Sequence, residues 1–437
     1  MIKLATPSYE STAVEGNDVR IAMIAYTLYA GDPRVKRAAE ALTEAGHQVD
    51  VFAISHDGTR GSTDGGLLRI RLLRMEKKQT RVARYAFEYG LFFSWALGLV
   101  SLLHARRRYN VVYVHNMPNF LVFAGLIPKI GGAKIVLDVH DPAAELLAAI
   151  RGRDLPPWVQ RLASAEERVS MSFSDALITV NEPMRRRLAT ISPRPAAVVM
   201  NLPDPGLFVP LEESRDRGSW DWIVYSGSIG HRFGLDLVVR VLSLLADDYP
   251  SLRFRIIGEG PGLESIARLA EDLGVADRVE FRGYAPNSQI PFLLSDARAG
   301  ISPAREGAFG SLVFSMKVAE YIALGLPVVC SDITTMRYYF SDDELLFFEP
   351  DNEEDLARAI RELLTDPAAA EERAARSRIK LDKLDWPAQK ETLVETVEAL
   401  ASSRKSQSRR WARPARSPWV RPGAIAKQKD KEITKHA

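Results

Sequence analysis

Short apolar runs rich in β-branched residues alternate with helical periodicities along the chain. The run at residues 19–25 is followed by residues 32–46, in which apolar residues recur at helical spacing until Gly46. Further strands are predicted at residues 48–54, 110–115, 133–139 and 175–180, with helices at 87–108, 118–129, 159–173 and 182–188. Alternating strand and helix signals predict a parallel sheet covered by helices on both faces.

The second half of the chain repeats this alternation after a join, residues 201–218, that is rich in proline and glycine. Strands are predicted at residues 222–226, 252–257, 279–282, 299–302, 327–331 and 345–348, with helices at 234–246, 262–273, 318–324, 353–364 and 368–381. We therefore expect an α/β protein with two doubly wound, Rossmann-like domains that face each other across a cleft. In such folds the ligand binds at the carboxyl ends of the strands, between the domains.

Composition and length divide the chain further. The predicted parts are an N-terminal extension (1–18), a first domain (19–203), a second domain (204–382), a final helix (383–402) and a tail (403–437). With 46% hydrophobic residues the main body has enough apolar surface to fold. A single cysteine, Cys330, excludes an intramolecular disulfide and a cysteine-rich zinc site. The chain lacks a secretory signal pattern at its start, so a cytoplasmic location is expected.

The charge is unevenly distributed. The net charge is +2, but residues 404–437 carry +9, which leaves −7 for the rest of the chain. This basic, proline-containing tail is predicted to be disordered. It is either a solubilising tail or a segment attracted to anionic lipid or nucleic acid, with Trp411 and Trp419 as interfacial anchors.

Two glycine-containing junctions between a strand and a helix could lie close to a ligand. In residues 225–236, Gly227 permits close backbone approach, and Arg232 adds a cation beside a helix N-terminus that favours anions. A flexible turn is the alternative, because the glycines do not form a GxGxxG pattern. Gly258 lies in the second junction, residues 257–262, where close strand-to-helix packing is an equally good explanation.

Lys317 and Glu320 carry the strongest functional signal. They are three residues apart on a predicted helix and so share one face. A carboxylate there can accept hydrogen bonds from a ribose diol, while an ammonium can contact phosphate. The alternative is an ordinary surface ion pair.

The stretch Glu320-Tyr-Ile-Ala-Leu-Gly-Leu-Pro-Val-Val329 resembles the retaining glycosyltransferases of the "glycosyl transferases group 1" class, family 4, which have the two-domain GT-B fold. The resemblance extends over residues 21–400 and is closest to the subset that works in bacterial surface-polysaccharide assembly. Supporting segments are Asp32-Pro-Arg-Val35, His115-Asn-Met-Pro118, Leu137-Asp-Val-His-Asp141, Asn181-Glu-Pro-Met184 and Phe347-Phe-Glu-Pro350.

The resemblance implies roles for individual residues. Glu320 matches the glutamate that holds the nucleotide ribose, and His140 matches the histidine beside the reacting sugar. Arg232 and Lys317 would neutralise the donor diphosphate, which Gly31, Gly227 and Gly258 would approach through their backbone. His115, Asn116 and Asp141 are the expected acceptor-binding residues.

The sequence departs from the family pattern at one informative position. Many members carry a second glutamate eight residues before Glu320, but Leu312 stands there, and Glu306 is out of register. The loop at Gly31 also has one glycine where many members have two. These departures keep open two alternatives: a nucleotide-sugar epimerase of the same fold, and a non-catalytic nucleotide-binding partner protein.

The implied reaction is transfer of a sugar, with retention, from a nucleotide sugar to an acceptor hydroxyl, with UDP-sugars favoured over GDP-sugars. The acceptor would be a lipid-linked or polysaccharide intermediate, and no nucleic-acid partner is expected. Cations and helix N-termini stabilise the leaving diphosphate, so neither a metal nor another cofactor is expected. Asp138, His140 and Asp141 are candidate metal ligands, but we interpret them as the end of a strand that directs His140 inward.

Residues 85–108 contain an apolar, aromatic helix flanked by arginines. Such a helix either lies in a lipid interface or belongs to the core of the first domain. We expect both partly to hold, so that this helix and the basic tail attach the protein peripherally to the inner face of the plasma membrane.

Overall fold

The computed structural model describes residues 18–56, 63–76, 82–142, 145, 156–210, 221–305, 307 and 310–403. The first sheet consists of β1 (Arg20–Leu28), β2 (Gln48–Ser55), β3 (Thr63–Gly65), β4 (Leu68–Arg74), β5 (Val111–His115), β6 (Lys134–Val139), β7 (Ala176–Thr179) and β8 (Ala196–Val198). Its order is β3-β4-β2-β1-β5-β6-β7-β8, and every neighbouring pair is parallel except β3–β4. The carboxyl ends of β5 and β6 are therefore neighbours.

The second sheet consists of β9 (Asp221–Ser226), β10 (Leu252–Ile257), β11 (Val279–Gly283), β12 (Ala299–Ser302), β13 (Val328–Ser331) and β14 (Leu346–Phe348). All its strands are parallel, in the order β11-β10-β9-β12-β13-β14. This doubly wound order also occurs at the centre of the first sheet, where it reads β4-β2-β1-β5-β6-β7. The predicted fold class, two Rossmann-like domains, is confirmed.

Helices cover both faces of each sheet. In the first domain they are α1 (Pro33–Glu44), α2 (Val82–Arg107), α3 (Leu126–Ile130), α4 (Pro157–Phe173) and α5 (Glu182–Ile191). The later ones are α6 (Leu235–Leu244), α7 (Leu263–Asp272), α8 (Ile290–Leu293), α9 (Met316–Ala323), α10 (Thr334–Tyr339), α11 (Glu353–Thr365), α12 (Pro367–Asp382) and α13 (Trp386–Ser402). The helix predicted at 118–129 is largely a 3-10 segment, Asn119–Gly125, that continues into α3.

Side-chain alternation along the central strand divides the first core into two layers. Ile21 and Met23 of β1 pack with α1 and α13, whereas Ala22 and Ile24 pack with Phe92 of α2 on the opposite face. This is the pattern of a strand buried on both sides, which explains why the run reads as continuously apolar in the sequence.

One face of helix α2 packs into the core of the first domain. Phe92, Ala96 and Val100, spaced four residues apart, are fully buried, and Tyr26 contacts both Tyr89 and Phe92 edge-to-face. Among the side chains of α2 that the structure describes, the large apolar ones that are exposed are Phe87, Leu91 and Leu102. By length and composition alone, Phe87–Arg107 is long and apolar enough to cross a membrane, but most of its aromatic side chains line the domain core.

Three arginines upstream of α2 belong to the first sheet. Arg69, Arg71 and Arg74 lie in β4, which pairs in parallel with β2, whereas Arg84, Arg106 and Arg107 lie in α2 itself. The N-terminal extension and the basic tail fall outside the described residues.

The chain passes between the two domains twice. It first crosses after β8, and it returns between α12 and α13, which packs against α1 and β8 of the first domain. The two crossings are in contact, because the backbone N–H of Met200 donates to Oε1 of Gln389 at 2.8 Å. Arg37 of α1 joins them, since it donates to the carbonyl of Leu202 and lies 5.7 Å from the ring centroid of Trp386.

Candidate functional site

Backbone segments come unusually close together at the carboxyl ends of β9 and β10. The N–H of Gly227 donates to the carbonyl of Ile257 at 2.9 Å, and Gly258 donates to Gly283 at 2.8 Å. A Cβ added to Gly258 would lie 1.9 Å from the Gly227 oxygen, and φ at Gly258 is +146°. Only glycine fits there. This close approach supports the packing explanation for Gly258 and leaves Gly227 exposed beside Lys317.

Lys317 and Glu320 lie on the first two turns of α9, at the edge of the same junction. The Lys317 ammonium is 5.0 Å from the ring centroid of Tyr225 and 5.1 Å from that of Phe233. Burial lowers the pKa of Lys317 to about 8, although Glu320 opposes this shift. Burial likewise raises the pKa of Glu320 to about 7 against the effects of Lys317 and Arg37. The two groups are half-buried, which excludes an ordinary solvated ion pair.

Arg232 adds a second cation near Lys317. It lies in a 3-10 turn, His231–Phe233, directly before α6, and its guanidinium is 4.6 Å from the centroid of the Phe233 ring. Its charge contributes to the lowered pKa of Lys317, so the two cations lie within electrostatic reach of each other. Two close cations and a helix N-terminus favour an anionic ligand such as a diphosphate.

Arg305 holds this turn in place, a role that sequence reasoning missed. Its Nε donates to the carbonyl of His231 at 3.0 Å, its Nη2 contacts Asp236 of α6 at 2.5 Å, and its Nη1 pairs with Asp351. The partners are 46 to 74 residues away in the chain, so local pattern could not reveal them.

Two histidines and one aspartate form a buried cluster at the ends of β5 and β6. Nδ1 of His115 and Nε2 of His140 each lie 3.3 Å from Oδ2 of Asp138, and 3.1 Å from each other. The two rings are stacked at an interplanar angle of 6°, and the Tyr113 hydroxyl donates to the same oxygen at 2.6 Å. We call His115, Asp138 and His140 the histidine cluster.

The cluster is organised around a carboxylate. Burial alone would raise the pKa of Asp138, but His140 and His115 outweigh it and hold that pKa well below its usual range. Burial lowers the pKa of His115, which favours the neutral imidazole. Among the described residues, Nδ1 of His140 is buried and has no hydrogen-bond partner.

Asn116 links the ends of the two strands. Its Oδ1 accepts the His140 backbone N–H at 2.9 Å, and its Nδ2 donates to the Asp141 carbonyl at 2.7 Å. The same Nδ2 lies 3.3 Å from Oδ1 of Asn119, whose own amide donates to Glu166 of α4 at 2.9 Å. Asn116 and Asp141 therefore shape the site through backbone contacts as well as lining it.

A cleft of about 160 Å³ opens beside the histidine cluster. It is lined by residues from β1, α1, β5 and β6, among them Asp32, Arg34, His115, Asn116, His140 and Asp141. Gly31 lies just before α1 and is exposed, and a Cβ added to it would have no atom within 4 Å. Its predicted backbone approach to a ligand is sterically open, but nothing in its packing requires glycine.

Arg37 lies between the two parts of the site. We call Lys317 and Glu320, in the second domain, and the histidine cluster, in the first, the two half-sites. It lines a small cavity together with His140, Arg34 and Trp386. Its positive charge also stabilises the carboxylate of Glu320, across the cleft. Arg37 therefore lines the same small cavity as His140 and lies within electrostatic reach of Glu320.

The histidine cluster is also the place where the described residues could hold a metal ion. The ligand atoms of His115, Asp138 and His140 all lie within 4.8 Å of one another. Asp141, a third candidate in the sequence, contributes only its backbone carbonyl to Asn116. Among the described residues, Nε2 of His115, Oδ1 of Asp138 and Nδ1 of His140 are buried without a hydrogen-bond partner, so the three side chains do not fully satisfy one another. A metal-free site stays a prediction.

Leu312 has a structural role in place of the missing glutamate. It packs against the core of the first domain, and its carbonyl accepts a hydrogen bond from Nδ2 of Asn181 at 2.8 Å. Nearby, the Glu182 backbone N–H donates to the Tyr339 hydroxyl at 3.0 Å. The segment before α9 thus contacts the opposite domain. Glu306 lies outside the described residues.

Known protein families match both domains. The family described as "Glycosyl transferase 4-like domain" matches residues 31–203, and the family described as "Glycosyl transferases group 1" matches residues 214–380. The boundary between the two matches falls in the segment that joins the two sheets.

Individual relatives are more distant. The chain is 25% identical over 366 residues to 2-deoxystreptamine glucosyltransferase of Streptomyces kanamyceticus, covering 78% of this chain and 92% of that protein. It is 26% identical over 334 residues to one component of the phosphatidylinositol N-acetylglucosaminyltransferase of Arabidopsis thaliana, covering 75% and 69%. The solved structure of Anabaena Alr3699/HepE in complex with UDP has a TM-score of 0.65 at 14% identity, covering 87% of this chain and 100% of that one. That likeness confirms the GT-B fold.

Proposed function

Because the chain belongs to the glycosyl transferases group 1 family, whose members transfer sugars, we propose that it uses a nucleotide sugar with retention of configuration. The preferred donor is a UDP-sugar, ahead of a GDP-sugar. The observation that carries this proposal is the pair of half-sites joined by Arg37: Lys317 and Glu320 on one side, His140 on the other.

In the proposed reaction the second domain stabilises the leaving diphosphate. Negative charge grows on its oxygens as the glycosidic bond breaks. Arg232, Lys317 and the N-terminus of α6 are fixed nearby and need no reorganisation to stabilise this charge. Anion binding raises the pKa of Lys317 above 8 and keeps its ammonium protonated. Glu320, ionised in the complex, accepts from the ribose hydroxyls, and no metal takes part.

The first domain supplies the proposed acceptor side. His140 lines the cleft beside the reacting sugar, while Asp138 and Asn116 fix its ring and its backbone. His115 and Asp141, at the neighbouring strand ends, complete the acceptor-binding wall. A carboxylate behind an imidazole orients the ring and stabilises positive charge on it.

The relatives support the choice of substrates. Alr3699/HepE binds UDP in its structure, which favours a uridine nucleotide. The names of the two sequence relatives indicate one small aminocyclitol acceptor and one phosphatidylinositol acceptor. Of these classes we propose a lipid-linked or polysaccharide intermediate of cell-surface glycan synthesis, reached by a cytoplasmic enzyme attached peripherally to the inner membrane face.

Thermal unfolding with saturating UDP, GDP, ADP or CMP tests the donor site. At about 100 times its dissociation constant a nucleotide adds roughly 2.7 kcal/mol of stability, which shifts the midpoint by a few degrees. We expect a shift with UDP that is lost in Glu320→Ala and in Arg232→Ala. No shift with any nucleotide would contradict the proposal and favour a non-catalytic partner protein.

Product analysis tests the reaction. With donor and acceptor present, NMR of the product should show the same anomeric configuration as the donor sugar. An inverted anomer would contradict retention. Conversion of the donor sugar in the absence of acceptor would instead establish the epimerase alternative.

A further inference from the structure

Helix α4 carries an apolar stripe on the side that faces away from the protein. Trp158, Leu162 and Val169 are 68%, 64% and 57% exposed. At 100° per residue these positions fall within about 40° of one another around the helix axis. The opposite side holds the buried residues Ser170 and Met171. A regular apolar stripe on the solvent side of a well-packed helix indicates a binding surface.

Charge on α4 is sorted by face. Arg161 and Arg168 are exposed along one edge of the stripe. The acids of α4 point inward: Glu167 is buried and pairs with Arg187, and Glu166 accepts from Asn119. The outer face of α4, defined by Trp158, Arg161, Leu162, Arg168 and Val169, therefore carries two cations and no carboxylate.

The inner face of α4 touches the loop that holds the site residues. Glu166 binds Asn119, which contacts Asn116, which in turn accepts the backbone N–H of His140. Three hydrogen bonds thus connect α4 to the backbone of His140. A surface bound there would be held beside the acceptor cleft.

Neighbouring helices extend the apolar character of this side. The 3-10 segment Asn119–Gly125 packs between α2 and α4, and α3 follows it. Nine of the sixteen exposed large apolar side chains among the described residues lie on these three helices: Phe87, Leu91, Leu102, Leu126, Ile127, Ile130, Trp158, Leu162 and Val169. The exposed apolar side chains of the first domain are therefore concentrated on neighbouring helices.

We propose that the outer face of α4 binds an anionic lipid bilayer and holds the acceptor cleft at the membrane surface. The tryptophan and aliphatic side chains enter the interface, and Arg161 and Arg168 contact anionic headgroups. Because the chain outside the basic tail has a net negative charge, an anionic membrane would repel it, and binding requires a local surface that carries positive charge. The inference rests on the proposed lipid-linked acceptor, and it assigns to α4 the contact that the sequence suggested for α2.

Vesicle flotation of the full chain tests this surface, with phosphatidylcholine alone and with an equal amount of phosphatidylglycerol added. Wild type should float with the anionic vesicles. Arg161→Gln combined with Arg168→Gln should weaken this binding about thirtyfold, because each basic residue near an anionic surface contributes roughly a factor of five. Trp158→Ser, Leu162→Ser and Val169→Ser together should weaken it about a hundredfold or more.

Matched control variants show which surface of the protein is responsible for vesicle binding. Phe292→Ser with Ile379→Ser removes equally exposed apolar groups from the second domain and should leave binding unchanged. Phe87→Ser with Leu91→Ser and Leu102→Ser tests α2 in the same way. Wild-type binding by both α4 variants would overturn the proposal and assign attachment to α2 or the tail. So would a change in oligomeric state without a change in vesicle binding, which would indicate a second copy of the chain on this face.

Donor binding separates the two proposals. The UDP-induced thermal shift should be the same in the α4 variants as in wild type, because α4 lies in the other domain. Loss of vesicle binding with a normal UDP shift supports the membrane surface. A normal UDP shift with no vesicle binding by wild type overturns this inference while the proposed donor site stands.

Discussion

The two half-sites of this protein are built by different means. On the second domain, backbone meets backbone: Gly227 and Gly258 approach so closely that no side chain fits between them. On the first domain, side chains meet side chains, in the histidine cluster around Asp138. The second-domain arrangement requires glycine, because glycine has no Cβ atom. The first-domain arrangement requires buried polar side chains that contact one another.

This difference determines how each half-site fails. A glycine junction is intolerant of an added methyl group but indifferent to charge. The histidine cluster is sensitive to the loss of a charge, because a buried polar group without a partner destabilises the fold far more than a paired one. The half-sites should therefore respond separately to mutation, one in stability and donor binding, the other in turnover.

The largest effect is expected from Gly258→Ala. Its Cβ would lie 1.9 Å from a carbonyl oxygen, at a φ of +146°, so the free energy of unfolding should fall by more than about 4 kcal/mol. Gly31→Ala is the matched control, since no atom lies within 4 Å and no strained φ is involved; it should change stability by less than about 1 kcal/mol. Urea unfolding measures both. Equal stability of the two variants would refute the backbone account.

Asp138→Asn should separate turnover from donor binding. It keeps the shape of the side chain but removes the charge that both histidines face. We expect kcat to fall roughly a hundredfold while the UDP-induced thermal shift is retained. Steady-state kinetics and thermal unfolding on the same sample decide this. A loss of UDP binding equal to that of Glu320→Ala would mean that the half-sites are not separable.

Glu320 should make stability depend on pH. Its pKa is raised to about 7 by burial, so between its ordinary value and 7 the folded protein binds the proton more tightly than the unfolded chain. Its stabilising contribution is therefore complete at low pH and is lost as the pH rises through about 7. Relative to Glu320→Gln, wild type should lose about 2 kcal/mol between about pH 5 and 7.5, after allowance for partial exposure. An unchanged difference would show that Glu320 titrates normally.

The smallest effect is expected from a hydrogen bond between the two domains. Tyr339→Phe removes the hydroxyl that accepts from the Glu182 backbone N–H. One neutral hydrogen bond contributes about 1 kcal/mol, so the free energy of unfolding should fall by about that amount, with the UDP shift nearly unchanged. The control is Tyr338→Phe, whose ring stacks on Arg186 and keeps that contact. Equal stability of the two variants in urea unfolding would exclude a role for the Tyr339 contact.

The fold and the second-domain site could be predicted because their signals are local. Apolar runs and glycines define the strands and junctions, and Lys317 and Glu320 share one helical turn. The first-domain site depended on residues 25 positions apart, His115 and His140, so sequence pattern indicated their strands but not their contact. Arg37, Arg305 and the outer face of α4 could not be predicted, since each acquires its role only through distant parts of the chain.

The double crossing of the chain has a mechanical consequence. The two segments that connect the domains are hydrogen-bonded to each other through Met200 and Gln389. This contact restricts the relative motion of the domains to rotation about one hinge axis. Sliding or twisting would break that tie and the contacts of Arg37 with Leu202 and Trp386. Opening should therefore be a hinge motion about these two connecting segments. Arg37, which lies beside the hinge, keeps its position, while the parts of the two domains farthest from the hinge separate to admit substrate.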